Sequence, residues 1–318
     1  MNEEIVLAVD LGGTNLRMAA VEPDGNILYR VKRATPVDKR AAGIVRAIVY
    51  LAKEYGQSAK KQKAISAIAA AVPGTVNVEK GIIIKAPNIR ALDNFPLARN
   101  LEDKLNLECF LENDANAAAI GESWLGASKN FNNSIYITLG TGIGGGIIID
   151  GKILRGAGGT AGEIGHICVE PYGASCGCGS RGCLEQYSSA TAIVRLTGEI
   201  RRDYPKSDLV KNKSLTALEI YEAGKTGDAL ALEVFRRQGF YLGIGLAGLI
   251  NVLNPEAIVI GGGAASGWDL FVPEMVTQIR LRAYREPAEH ARIIRAECGD
   301  DAGILGAARI AFDNLLKR

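Results

Sequence analysis

Four side chains that bind soft metals crowd one short stretch, spaced His166-x9-Cys176-x-Cys178-x4-Cys183. One imidazole and three thiolates make a tetrahedral set that suits Zn²⁺, and four protein ligands close its coordination sphere. No position is left for an activated water. The expected zinc is therefore structural, pinning a glycine-rich loop that lacks apolar side chains of its own. Cys168, two residues after His166, is a rival fourth ligand that spacing alone does not exclude. A metal-bound imidazole usually donates its second N–H to an acceptor, and Glu163 and Glu185 flank the loop. Carboxylates beside an imidazole donor suit a polyhydroxylated ligand such as a sugar.

Three glycine clusters offer convergent backbone N–H groups of the kind that hold phosphate: Asp10-Leu11-Gly12-Gly13-Thr14-Asn15, residues 140–146 (GTGIGGG), and Gly261-Gly262-Gly263. None carries the Lys-Ser/Thr of a P-loop, which excludes that ATPase class. Gly140, Gly142 and Gly145 match G-x-G-x-x-G, but a β-branched strand follows where a dinucleotide fingerprint requires a helix. Asp10 closes a buried strand; it either shapes the turn through its side chain or orients hydrated Mg²⁺ at the phosphates. Asn113-Asp114 joins a strand to an alanine-rich helix. One of the pair can cap that helix. Alternatively, Asp114 stays ionised at the helix N-terminus and takes a proton from a sugar hydroxyl as that oxygen attacks phosphorus.

The elements that must position these residues are legible from periodicity. Residues 5–10, 16–21 and 27–31 read as a three-stranded meander, 40–55 as a helix, 64–72 as a strand, and 97–105 with 107–111 as helix then strand. Further on come a helix at 115–125, a strand at 134–139 and a hairpin around Asp150-Gly151. Helices follow at 185–202, 216–223 and 228–253, the second opened by a Thr216/Glu219 capping box. A strand at 257–260, a helix near 271–284, a strand at 292–295 and a terminal helix from 302 complete an α/β pattern. A strand, glycine turn and strand occur twice, at 6–19 and 135–149, and two such hairpins could grip a polyphosphate from both sides. The domains are expected at 1–114, rejoined by the C-terminal helix 302–318, and at 115–301.

Composition narrows the class. The 318 residues are 47% hydrophobic, enough for two cored domains, and the net charge of +2 with scattered basic runs argues against a nucleic-acid surface. The most apolar charge-free stretch, 239–253, is too short for a membrane helix and holds four glycines. Glu3 and Glu4 stand where a secretory leader carries basic residues. The expected location is the reducing cytoplasm, where clustered cysteines signal a metal more than disulfides. Glycine is abundant, with 38 in all and eleven of them within residues 140–165.

The motifs together resemble the ROK family of sugar kinases and repressors, within the actin-like ATPase superfamily. The likeness runs over AVDLGGTNLR at the start, AAVPG at 70–74, LENDANAAAIGE at 111–122, LGTGIGGG at 139–146, AGEIGH at 161–166, CGCGSRGCLEQYSSA at 176–190 and NPEAIVIGGG at 254–263. Within the family the pattern looks most like the glucose kinases. The resemblance implies a two-domain, ribonuclease H-like actin-ATPase fold with an interdomain cleft that closes on the sugar. It implies ATP-dependent phosphorylation of a hexose at its 6-hydroxyl, with Asp114 as base, Mg²⁺ at the phosphates and structural Zn²⁺. Asn113, Asp114, Glu163, His166 and Glu185 would bind the sugar, with Gly74 and Asn88 lining its pocket. Asp10, Gly12, Gly13, Thr14, Asn15, Thr141 and Gly142 would serve the phosphates, and Gly261 and Gly262 the adenosine. It also implies a homodimer or homotetramer. N-acetylmannosamine, fructose or mannose could replace glucose, and a sugar-sensing regulator is the alternative from another class. Family repressors carry a DNA-binding segment ahead of the AVDLGGT strand, which here begins at Ile5.

Overall fold

A computed structural model describes residues 4–37, 40–58, 63–212 and 214–317. The leader reading rests partly on residues 1–3, which lie outside the described residues.

β1 (Glu4–Leu11) is apolar at nearly every position because both its faces are covered. Ile5, Leu7, Val9 and Leu11 enter one core, and Val6 and Ala8 the other. β2 (Asn15–Val21) and β3 (Ile27–Ala34) follow antiparallel, and β4 (Ala64–Val72) pairs with β1 in parallel. β5 (Thr75–Asn77) and β6 (Ile82–Lys85) form a separate ribbon, while β7 (Glu108–Asn113) completes the sheet order β3-β2-β1-β4-β7. On one face lie α1 (Arg40–Ser58), through Ile44, Ile48 and Leu51, and α2 (Leu97–Leu105), through Leu97 and Leu101. The other face carries Ala117 of α3 (Asp114–Leu125) with Ile304, Leu305 and Ala308 of the C-terminal helix α10 (Ala302–Leu315).

The chain divides into unit 1, Met1–Phe131 with Gly146–Gly162 and Glu297–Arg318, and unit 2, Asn132–Gly145 with Glu163–Ala296. These bounds differ from the boundary expected at 114/115 and the return expected at 302. α3 belongs to unit 1 because it lies backbone to backbone on α10: a Cβ on Gly306 would fall 1.7 Å from the carbonyl oxygen of Ala117. Such proximity needs small residues on both helices, and the alanine-rich sequence supplies them.

In the second sheet, of order β10-β9-β8-β11-β12, β8 (Ser134–Leu139), β11 (Ala257–Gly261) and β12 (Arg292–Arg295) run parallel. β9 (Ile143–Ile149) and β10 (Lys152–Ile153) form the hairpin expected from Asp150-Gly151, whose φ angles are 50° and 71°. The helix expected at 185–202 is two helices, α4 (Glu185–Ser188) and α5 (Ala190–Ile200). Ser189 breaks it by taking extended backbone and capping α5, accepting from the N–H of Ala192. α6 (Ala217–Lys225) has the expected capping box. The glycines of 239–253 fall in α7 (Ala229–Leu253), where Gly239 and Gly243 admit the backbone of α8 (Trp268–Arg282). α9 (Arg285–His290) was not anticipated. No described helix is long and apolar enough to cross a membrane.

Candidate active site

In unit 1 the chain passes from β7 into α3 at Asn113, and the capping reading of this junction falls on that residue. Asn113 is the cap: its Oδ1 accepts from the N–H groups of Ala115 and Asn116 at 2.9 and 3.0 Å. Its amide nitrogen donates to the carbonyl of Gly74 and to Oδ1 of Asp114, both at 3.0 Å. Asp114 Oδ1 also accepts from the Ala115 N–H at 2.9 Å, while Oδ2 accepts from no other described residue. The partly buried carboxyl is pushed up to about 6, mainly by burial and secondarily by Asp10, against the opposing N–H of Ala115. Burial therefore outweighs the helix N-terminus that was expected to keep this group fully ionised.

Asp10 sits at the end of β1, directly across the hairpin from Arg17 in the β1–β2 register. Arg17 donates to Asp10 at 3.2 Å and to the Asp300 carboxylate at 2.9 Å. Burial raises the Asp10 carboxyl, and Arg17 opposes that rise. In the intervening turn the Gly12 N–H donates to the Asn15 carbonyl at 2.8 Å, and Thr35 Oγ1 donates to the Gly12 carbonyl at 2.7 Å. Gly12 thus shapes the turn, leaving the N–H groups of Gly13 and Thr14 for an anion. Asn88, which is exposed, lies against Gly13, where a Cβ would fall 3.3 Å from its own.

In unit 2 the ligand atoms of His166, Cys176, Cys178 and Cys183 all lie within 4.8 Å of one another. Cys178 and Cys183 sulfurs are 3.7 Å apart, and His166 Nδ1 is 3.6 Å from Cys176. A tetrahedron with metal–sulfur bonds of about 2.3 Å separates its sulfurs by about 3.8 Å, so the donor set fits Zn²⁺. Burial pushes the Cys183 thiol up to about 12 and the neighbouring thiols add to it; a bound cation would favour its thiolate. Cys168 pairs by backbone with Cys183, but its exposed side chain is outside the cluster. Since Nδ1 faces the cysteines, Nε2 of His166 is the nitrogen available to a ligand. The loop also depends on Gly182, at φ 69°, where a Cβ would fall 1.7 Å from the Glu170 carbonyl oxygen.

Glu163 is exposed, and its carbonyl accepts from the His166 N–H at 3.0 Å, closing the 3₁₀ turn that aims the imidazole. Glu185 opens α4, and its Oε2 accepts from the Ile143 N–H at 2.9 Å. It thus braces the 140–146 turn, in which the Gly140 N–H donates to the Gly142 carbonyl at 2.9 Å.

A cavity of about 390 Å³ opens beside this turn, lined by Gly140, Thr141, Ile193, Leu218, Tyr221 and Ala264 among others. Apolar walls around a few polar groups suit a planar base. Of the three glycines 261–263 only Gly263 lines it; a Cβ on Gly262, assigned above with Gly261 to the adenosine, would meet the Leu139 backbone. The contribution of α6, Leu218 and Tyr221, was missed because an amphipathic helix gives no sign of which apolar side chains line a cavity. Arg17 was also missed, although counting across the Gly12-Gly13 turn places it opposite Asp10. A fourth unforeseen group is Arg155, whose Nε and terminal nitrogen donate to Glu112 Oε2 at 2.9 and 2.7 Å.

These features define the two-domain actin-like ATPase fold, elaborated with a Cys₃His loop. The ROK family model matches residues 6–314, and the chain belongs to the ROK family. It is 39% identical over 312 residues to the glucokinase of Halalkalibacterium halodurans, covering 96% of this chain and 94% of that protein. It is 36% identical over 317 residues to the glucokinase of Thermotoga maritima, covering 98% of each. The ROK family glucokinase from Streptomyces griseus, solved in complex with glucose and AMPPNP, matches with a TM-score of 0.82 at 35% identity, covering 97% of this chain and 99% of that one.

Proposed function

We propose that this chain transfers the γ-phosphoryl group of ATP to the 6-hydroxyl of glucose, yielding glucose 6-phosphate and ADP. The observation that carries the reading is the state of Asp114. Oδ1 is fixed by two donors, Oδ2 accepts from no described residue, and burial pushes the carboxyl up to about 6. At neutral pH such a group is ionised yet basic enough to accept a proton from an alcohol. General-base help of this kind is worth about 10²–10⁴ in rate, with most of the remaining acceleration coming from alignment and charge neutralisation.

The residues are assigned unit by unit. In unit 1, Asn88, Asn113 and Asp114 bind sugar hydroxyls, and Gly74 supports Asn113 through its carbonyl. In unit 2, Glu163, Glu185 and the Nε2 of His166 do the same, so His166 serves as both metal ligand and sugar donor. The turns at Gly12–Asn15 and at Thr141–Gly142 present N–H groups to the phosphates, and the cavity beside Leu218 and Tyr221 takes the adenine, with Gly261 and Gly262 on the adenosine side. Asp10, held by Arg17, orients hydrated Mg²⁺. When bound, that ion neutralises phosphate charge. Zn²⁺ at the Cys₃His set fixes the loop and does no chemistry. The same reading places the chain in a reducing cytoplasm, as a homodimer or homotetramer, with no nucleic-acid or membrane partner.

ADP release across a panel of glucose, mannose, fructose and N-acetylmannosamine tests the assignment. Glucose is expected to give the highest kcat/KM. A preference for another hexose would move the substrate, and sugar binding without ADP release from any hexose would favour a sensing regulator.

A further inference from the structure

We infer that Arg155 is a positioning residue for the base, acting through the buried carboxylate of Glu112; the inference rests on the kinase reading above. Glu112 is 3% exposed, on β7 two residues before Asp114. It accepts four hydrogen bonds, filling both oxygens. Oε1 takes the backbone N–H of Asn113 and the amide nitrogen of Asn116, both at 3.1 Å. Oε2 takes the two Arg155 donors. Among the described residues only Arg155 forms an ion pair with this carboxylate, with two donors on one oxygen. Asn116 is committed to this arrangement: it is 2% exposed, and giving its amide nitrogen to Glu112 leaves Oδ1 with no partner among the described residues.

Two consequences follow for Asp114. First, Glu112 grips the N–H of Asn113 and the side chain of Asn116, which flank the base on either side, so it fixes the start of α3 from below. Second, Arg155 cancels a negative charge that would otherwise disfavour ionisation of Asp114. The other charged groups facing this region are Asp10 on β1, Arg17 on β2 and Asp300, which form their own linked set. β4 contributes no titratable group, and α10 none before Arg309. Arg155 also opens the glycine run 156–162, and its carbonyl accepts from the Ala161 N–H at 3.0 Å. The loop that leads to Glu163 is thereby anchored on the residue that braces the base.

The test is a charge cycle read as pH profiles of kcat in the intact enzyme, with glucose and ATP saturating. Asp114 must be ionised to act, so kcat rises through its pKa, and a higher pKa moves that limb to higher pH. Arg155→Met removes the compensating charge and is expected to move the limb up by at least about half a pH unit. Glu112→Gln leaves an unmatched cation and moves it down. The double variant returns it to within about 0.2 unit of wild type, and Arg155→Lys keeps the wild-type limb while lowering kcat. KM for ATP stays within about twofold throughout. A merely structural role would lower activity in every variant without moving the limb, and that result overturns the inference. An unmoved limb in Glu112→Gln alone does the same should Arg155→Met fail to fold. Wild-type turnover with glucose, lost in Asp114→Asn, is measured beside them: its absence would sink the kinase reading itself, whereas its presence with an unmoved limb sinks only the role of Arg155.

Discussion

Asn113 and Asp114 stand where a central strand runs into a helix, and backbone and side-chain hydrogen bonds within unit 1 hold them. The His166–Cys183 loop has almost no regular structure beyond one 3₁₀ turn and two isolated bridges, and its order comes from four soft ligands drawn to one point. Burial in the first region raises a carboxyl, and in the proposed reading a metal in the second would stabilise the loop and aim an imidazole. In the proposed reading chemistry sits on the junction, while recognition falls to a loop that a cation would order. That division separates two classes of perturbation, one that should change rate and one that should change binding.

The largest effect is expected from Asp114→Asn. Turnover should fall by about 10²–10⁴ with glucose affinity retained, whereas a loss of affinity equal to the loss of rate would erase the distinction between the two regions. The same variant should be more stable. Raising a carboxyl from 3.8 to about 6 on folding means the folded state binds the proton more tightly. The penalty is therefore absent below about pH 4, grows between pH 4 and 6, and is complete above. An uncharged isostere should recover on the order of 2 kcal/mol at pH 7.5 and little at pH 4, as urea melts would record.

Removing the metal is expected to act on binding. Chelation, or Cys183→Ser, should raise the glucose KM about tenfold or more and lower the melting temperature, with kcat extrapolated to saturation changed less. Metal analysis finding well under one zinc per chain would contradict this half of the comparison. A smaller, nucleotide-specific effect is expected from Leu218→Asp in the cavity of unit 2: KM for ATP should rise about tenfold, leaving glucose affinity unchanged by calorimetry. The smallest concerns the rival ligand. Cys168→Ser should leave zinc content and KM within about twofold of wild type, since its exposed sulfur lies outside the cluster.

Much of this was legible in the sequence. β1 and β4 are continuous apolar runs, the Thr216/Glu219 box and the Asp150-Gly151 turn are local signals with local causes, and the clustering of His166 with Cys176, Cys178 and Cys183 follows their close spacing. What escaped depends on partners distant in the chain. Glu112 reads as one more acidic residue before Asn113, and only the fold brings Arg155 to it. The break at Ser189 was hidden because helical periodicity continues through it, although serine is a capping residue. The unit bounds differ from those expected because α3 is as consistent with one neighbour as with another until Gly306 shows where α10 lies. The pKa of Asp114 could not be read either, since sequence shows the helix N-terminus that lowers it and not the burial that raises it.

The central claim is that the carboxylate of Asp114 activates the 6-hydroxyl of glucose. Phosphorus NMR of a reaction containing ATP, Mg²⁺ and glucose tests it directly, run with wild type and with folded Asp114→Asn. Wild type should convert the γ-phosphorus signal of ATP into that of glucose 6-phosphate, and the variant should do so at least about a hundredfold more slowly. A variant as fast as wild type, or a wild-type product phosphorylated elsewhere on the sugar, would contradict the account.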